Sequence, residues 1–261
     1  MVVNNEQIII GEPVYEMRSG VVYVFDRDGD GDWVQSQMLE PSEASAANRF
    51  GISLATQDDL LLVSATRADS GTGAIYMFES DGGTWSEVGR LVTDDRTPAD
   101  SLGSGLDIDG DWIAVGTIGQ NSARGAVYTF RRDGDDWVQH SKLAPAELMP
   151  ESRFGAKLAI SGEHLMVSAP SVDDGQGAVY QFRYDAGTDT WVEPWAGSCS
   201  QGSSPWFGED VGLRAGLDAL LLRGAADVLL LQPGDGGVRV GGARGGPRVR
   251  RERRVAQPRR A

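Results

Sequence analysis

The chain has 261 residues, 40% of them hydrophobic and 24% charged, with 35 glycines and one cysteine, Cys199, which excludes an intrachain disulfide. Its 38 acidic and 24 basic side chains give a formal net charge of −14 at pH 7. That balance disfavours nucleic acid and anionic membrane as partners and favours cations or basic partners. No basic segment followed by an apolar core opens the chain, so no signal peptide is read in it.

In chain order, Ile9-Ile10-Gly11-Glu12-Pro13 is the first apolar strand, and Val22-Tyr23-Val24-Phe25 is the next. The second phrase returns as Ile75-Tyr76-Met77-Phe78, Val127-Tyr128-Thr129-Phe130 and Val179-Tyr180-Gln181-Phe182, with tyrosines 53, 52 and 52 residues apart. Trp33, Trp85, Trp137 and Trp191 keep the same phase, and Leu39, Leu91 and Leu143 repeat in steps of 52. Phe50-Gly51, Phe154-Gly155 and Phe207-Gly208 open units, with Leu102-Gly103 standing in once. A period this long marks a supersecondary block that buries its apolar face only against a neighbouring copy.

One unit shows what each block builds. Lys157-Leu158-Ala159-Ile160 reads as a strand, Ser161-Gly162-Glu163 as a turn, and Leu165-Met166-Val167 as a strand covered on both faces. Ala178, Tyr180 and Phe182 alternate with Val179 and Gln181, and Thr190-Trp191-Val192 supplies a fourth strand. Four strands joined by Gly, Asp and Ser turns describe a blade. The expected fold is all-β: a β-propeller, partial or of about four blades, built of four-stranded antiparallel blades with a period of about 52 residues. The repeats occupy 1–213, in units of approximately 1–49, 50–101, 102–153 and 154–206, with another beginning at 207. Tyr and Phe of each blade are expected to fill the gaps between blades. The first unit lacks a Phe-Gly strand of its own, and the segment Phe207–Leu213 is expected to complete it if the ring closes with four blades.

The unit resembles the FG-GAP repeat of integrin α-subunit propellers and bacterial surface proteins. The resemblance rests on Phe154-Gly155-Ala156-Lys157-Leu158-Ala159, Met166-Val167-Ser168-Ala169-Pro170 and Gly177-Ala178-Val179-Tyr180-Gln181-Phe182, in that order. It implies a location outside the cell or on its surface.

Residues 214–261 break the pattern. Residues 1–207 carry 13 basic and 32 acidic side chains, whereas residues 208–261 carry 11 and 6. After Phe207 only Gly, Glu, Asp, Val, Ala, Leu, Arg, Gln and Pro occur, all encodable by codons beginning with G or C. This stretch is expected to be a low-complexity, disordered tail read out of frame from a GC-rich gene. The apolar 217–231 stretch is interrupted by Arg223 and Asp227 and is too short and charged to span a bilayer. Arg250-Arg251-Glu252-Arg253-Arg254 is the one basic run.

The metal-like constellation is Asp26, Asp28, Asp30 and Asp32, where alternating carboxylates with Gly29 and Gly31 match the first half of a calcium loop. Gln37 stands where the bidentate acid belongs, and equivalent loops at 79–84, 131–136 and 185–189 make a hairpin turn the competing reading. Calcium is the one cofactor considered. The resemblance would place calcium elsewhere, between the first two strands, but those links are cut to Gln57-Asp58-Asp59, Asp109-Gly110-Asp111 and Ser161-Gly162-Glu163. No catalytic residues are expected. His140 and His164 fall at different repeat positions, Gly103-Ser104-Gly105 occupies the Phe-Gly slot, and Asp81-Gly82-Gly83-Thr84-Trp85 only partly matches a sialidase Asp-box. The segments 66–72, 118–124 and 171–176 vary while their flanking strands repeat, as recognition loops on a scaffold do. The reading is a non-catalytic surface or extracellular interaction module for a protein or glycan partner. The alternatives are an architectural repeat fragment without its own ligand and a sialidase-like propeller.

Overall fold

The computed structural model describes residues 1–4, 7–13, 19–43, 48–175 and 177–199, followed by strands within 210–251. Sequential hairpins build five antiparallel sheets. The first comprises β1 (Val2–Asn4), β2 (Gln7–Glu12), β3 (Val21–Arg27) and β4 (Trp33–Leu39). The second is β5 (Phe50–Gln57), β6 (Leu60–Ala65), β7 (Ala74–Asp81) and β8 (Thr84–Leu91). The third is β9 (Leu102–Asp109), β10 (Trp112–Thr117), β11 (Ala126–Asp133) and β12 (Asp136–Leu143). The fourth is β13 (Leu158–Ser161), β14 (His164–Ala169), β15 (Ala178–Asp185) and β16 (Thr190–Cys199). Each sheet is a blade of the repeat, and the blades form an open, propeller-type array.

Period-two alternation decides the packing. Each blade has a face carrying Tyr and Phe of its third strand, here called leading, and an opposite trailing face. Ile9, Val22, Val24 and Leu39 of the first blade cover Leu61, Val63, Tyr76, Phe78 and Trp85 of the second. Leu62, Ile75 and Leu91 then cover Ile113, Val115, Tyr128 and Phe130, and Ala114, Val127 and Leu143 cover Leu165, Val167, Tyr180 and Phe182. The Phe of the Phe-Gly pair sits inside its own blade, edge-on to the tyrosine: Phe50 to Tyr76 at 5.4 Å and Phe154 to Tyr180 at 5.2 Å between ring centres. Burying each such ring contributes roughly 1.5–3 kcal/mol. The expected filling of the interblade gaps by Tyr and Phe is what the structure has.

Backbone contacts fasten one blade to the next. The N–H groups of Phe50, Leu102 and Phe154 donate to the carbonyls of Ser19, Thr72 and Arg124 at 2.8, 3.0 and 2.9 Å. Glycine precedes the third strand at this joint for a steric reason. Gly125 has φ +86°, and a Cβ there would stand 2.0 Å from the Phe154 carbonyl oxygen. A bulge recurs between the third and fourth strands, at Val24/Phe25, Met77/Phe78 and Thr129/Phe130, and twists each outer strand.

One expectation is corrected. The first blade has its own first strand: β1 pairs antiparallel with β2, with Val2 opposite Ile9 and Asn4 opposite Gln7. The segment offered to complete it, 207–213, contributes instead to β17 (Asp210–Arg214), which opens a fifth sheet with β18 (Leu217–Arg223), β19 (Val228–Gly234) and β20 (Gly237–Gly241). Within the stretch 214–261, expected as a disordered tail, the described residues are those of these strands and of the short β21 (Val249–Arg251). β21, within the basic run, pairs with β16. Among the described residues no helix is long and apolar enough to cross a membrane.

Candidate functional site: the loop rim

The four candidate calcium ligands lie on the β3–β4 hairpin. Asp28 Oδ1 accepts the N–H groups of Asp30 at 3.0 Å and Asp32 at 2.9 Å, so this carboxylate caps its own turn. Asp26 Oδ1 accepts Gln7 Nε2 at 2.7 Å, toward the second blade rather than the loop tip. The side chains of Asp28, Asp30 and Asp32 are exposed, and among the described residues no three His, Cys, Asp or Glu side chains converge to hold a metal ion.

That hairpin end carries a network the sequence analysis missed. Trp85 Nε1 donates to Gln7 Oε1 at 2.9 Å across the first two blades, and Gln7 Nε2 also reaches the Gly83 carbonyl at 3.0 Å. Two joints further on, Trp112 occupies the Gln7 position. It packs on Trp191 at 5.2 Å and Tyr184 at 4.8 Å between ring centres, leaving Trp191 Nε1 buried without a partner. Asp189 accepts from Tyr184, His140 and Arg131 over this aromatic group. Those hydrogen bonds, Tyr184 first, hold the Asp189 carboxyl below its usual range, and the same bond pushes the Tyr184 phenol up. Ser141 Oγ stands 2.7 Å from His140 Nδ1, completing a Ser–His–Asp line. Two members have other contacts there: His140 lies edge-on to Trp112 at 4.9 Å, and Asp189 is shared by three donors. His164 begins β14, apart from His140, and Gly103-Ser104-Gly105 lies within β9. Cys199 ends β16 and belongs to the residues whose side chains are not described.

A third set of contacts joins the inner strands. Asn4 Nδ2 donates to the Asp58 carbonyl at 2.7 Å, Gln57 Oε1 accepts Gly110 N–H at 2.6 Å, and Asp109 Oδ2 accepts Gly162 N–H at 2.6 Å. In each case the last polar residue of one first strand grips the turn of the next blade. Asp107 adds a cross-blade bond from Ile160 N–H at 2.9 Å and accepts Ile108 N–H at 3.0 Å. Burial raises its pKa to about 6 despite those bonds.

At the opposite end of the strands lies the loop rim. Residues 68–71 and 120–123 form single helical turns with left-handed pairs at equivalent places: Asp69 and Ser70 (φ +52° and +63°), Asn121 and Ser122 (φ +53° and +58°). The two loops therefore share one backbone shape while presenting different exposed side chains, Arg67, Asp69 and Ser70 against Asn121 and Ser122. The third turn, Val172–Gly175, occupies the same place in the fourth blade. Interblade linkers strap the loops from both sides. Arg67 N–H donates to Asn48 and Ser101 N–H to Gly71; Gly119 N–H donates to Asp100 and Arg153 N–H to Ala123.

Charged networks anchor this rim on the repeated tyrosines. Arg90, opposite Tyr76 in the ladder, lies 4.9 Å from its ring centre and pairs with Glu43 and with Asp69 at 2.8 Å. Lys142, opposite Tyr128, lies 5.4 Å from that ring and pairs with Asp95, which also accepts the Tyr128 hydroxyl. Gln120 Nε2 donates to the same hydroxyl at 2.8 Å. Burial, then Asp95, pushes the Tyr128 phenol up. Burial opposes the charged forms of Asp95 and Lys142, but their mutual hydrogen bond and those with Tyr128 outweigh it, lowering the carboxyl and raising the ammonium.

The FG-GAP repeat model matches residues 33–78, 85–130 and 137–182, each running from the outer-strand tryptophan of one blade through the tyrosine strand of the next. The chain belongs to the FG-GAP repeat family. No curated protein matches the sequence. Among solved structures, the chain is similar to a Bacteroides uniformis protein described as a "putative 6-phosphogluconolactonase". The TM-score is 0.58 and the identity 13%, over 93% of this chain and 68% of that one. At that identity the likeness concerns the fold alone. The FG-GAP rim loops are the part of this chain whose shape repeats while its surface chemistry does not.

Proposed function

We propose that this FG-GAP array is a non-catalytic interaction module, working outside the cell or on its surface, which binds a protein or glycan partner through the rim loops 66–72, 118–124 and 171–176. One observation carries the reading: equivalent loops hold the same left-handed backbone, strapped by linker hydrogen bonds, yet expose unlike side chains. Left-handed non-glycine residues cost of order 1–3 kcal/mol each and persist where surrounding structure enforces them. A rigid scaffold with interchangeable tips suits recognition. FG-GAP repeats are typical of extracellular proteins, which supports the location.

The test is capture of partners from glycan arrays and surface extracts, with the intact chain and with a variant whose three loops carry scrambled sequence. Loss of capture at unchanged thermal stability is expected, and capture that survives scrambling overturns the loop assignment. Ser141 is expected to form no adduct with a fluorophosphonate ester. Stoichiometric labelling abolished by His140→Ala would make the chain a hydrolase instead.

A further inference from the structure

The joints between the first four blades are built from the same columns of residues, and the second joint departs from its neighbours at the hairpin end. At the first joint Gln7, Val24 and Trp85 are at most 9% exposed, and at the third Trp112, Thr129 and Trp191 are at most 8% exposed. Their counterparts at the second joint, Leu60, Met77 and Trp137, are all partly exposed, and Val88 beside them is 51% exposed. The ladder registers match. Gln7, Leu60 and Trp112 each precede the residue that faces the repeat Phe, while Val24, Met77 and Thr129 face Gln37, Gly89 and Ser141.

The sequence explains the opening. Gln37 Nε2 donates to the Trp85 carbonyl at 2.7 Å and Gln37 Oε1 accepts the Trp85 N–H at 2.9 Å, which closes the first joint from outside. Gly89 holds that column at the second joint and has no side chain to make the clamp. Gln7, which binds the Trp85 indole, is replaced there by Leu60. What remains is a cleft lined by Leu60, Met77 and Trp137, all three packed on the buried core beneath.

Two features name its occupant. At the third joint the corresponding place is filled by a large apolar side chain, Trp112, against Trp191 and Tyr184. Beside Gln7, Leu60 and Trp112 stand Asp26, Glu79 and Arg131. At the two sealed joints this charged residue is paired, Asp26 accepting from Gln7 and Arg131 donating to Asp189. Glu79 faces Leu60 in the ladder and is exposed, and among the described residues its carboxylate has no hydrogen-bond or ion-pair partner. Arg132 lies 5.7 Å from the Trp137 ring centre, but Asp133, Asp135 and Asp136 follow it. Residues 50–143, the two blades that form this joint, carry fifteen acidic and seven basic side chains. That balance draws a basic segment.

We propose that the cleft of the second joint takes an extended protein segment, whose large apolar side chain enters over Leu60, Met77 and Trp137 while a neighbouring Lys or Arg pairs with Glu79. A single apolar anchor in a partly desolvated slot is how interfaces concentrate binding energy. The cleft lies at the hairpin end, away from the rim loops, so protein with scrambled loops should keep it.

Titration of the intact chain with the peptide acetyl-Thr-Lys-Phe-Lys-Thr-amide, followed by NMR at the Trp137 indole N–H and the Met77 methyl, tests this. Both signals should move saturably. Peptides with Glu in place of Lys, or Ala in place of Phe, should bind at least about tenfold more weakly. Gly89→Gln restores the clamp of the first joint and should weaken binding by a similar factor. The atom that a Cβ would meet there is the movable Met77 methyl, at 3.1 Å, so the melting temperature should hold. Val88→Lys, at an exposed position, is a second variant that should also weaken binding. Glu79→Gln should cost about threefold and flatten the salt dependence. Unmoved Trp137 and Met77 signals, equal binding of the Glu peptide, or binding that Gly89→Gln and Val88→Lys both leave intact overturns the proposal. So does saturable binding of maltotriose in place of the peptide, which would make the cleft a sugar site.

Discussion

Asp107 is the residue at which one blade departs from its neighbours. Ala55 and Ala159 hold the same place 52 residues away on either side, whereas Asp107 puts a partly buried carboxyl at the joint with the fourth blade. Its pKa is raised from 3.8 to about 6, so the folded state disfavours the ionised form. The stabilisation is complete below about pH 4 and is lost as pH rises through 6, up to about 3 kcal/mol. Urea unfolding between pH 4 and 7 should show that decline, and Asp107→Ala, the residue of the neighbouring units, should flatten it. An unchanged slope in the variant would remove Asp107 as the cause. Thr129 is a second departure. It is fully buried in the third blade with its hydroxyl unpartnered, at the place where the first blade has Val24. Thr129→Val keeps the shape and removes an unsatisfied donor, so it should stabilise by about 1 kcal/mol, read as a higher denaturation midpoint at constant slope.

At the scale of the element, the hairpin tryptophans separate packing from hydrogen bonding. Trp85 and Trp191 are 2% and 7% exposed, but only Trp85 has an indole partner, Gln7. Trp85→Phe should therefore cost about 1 kcal/mol more than Trp191→Phe, since both lose similar apolar area. Equal costs would mean the Gln7 bond contributes nothing net. Gly125→Ala should cost on the order of 3 kcal/mol or more, from the left-handed backbone and the collision with Phe154. The all-β blades and the burial of Tyr76, Tyr128 and Tyr180 were legible in the sequence, because period two within strands and period 52 between blades both act on large apolar side chains. The clamps of Asn4, Gln57 and Asp109 were not. They depend on short polar side chains reaching another blade's turn, and the three residues share a column without sharing a chemistry. The Arg90 and Lys142 anchors lie 52 residues apart, as do Glu43 and Asp95, so aligning charged columns would have exposed them. β1 escaped notice because three residues carry no usable periodicity.

At the scale of the molecule, the account rests on one packing rule applied blade after blade: a Tyr–Phe face under the aliphatic face of the blade before it. The rule places the joints on the inside and leaves Ser70, Asn121 and Ser122 exposed at the loop tips, which makes a rim of variable chemistry compatible with a fixed scaffold. The Tyr–Phe face of the first blade, with Tyr23 and Phe25, is partly exposed in the structure. Hydroxyl-radical footprinting at low protein concentration reads buried and exposed faces in one measurement. Tyr76, Tyr128, Tyr180, Phe50 and Phe154 should be protected, while Tyr23 and Phe25 are labelled. Comparable labelling of all four repeat tyrosines would contradict the stacking of blades on which the rest depends.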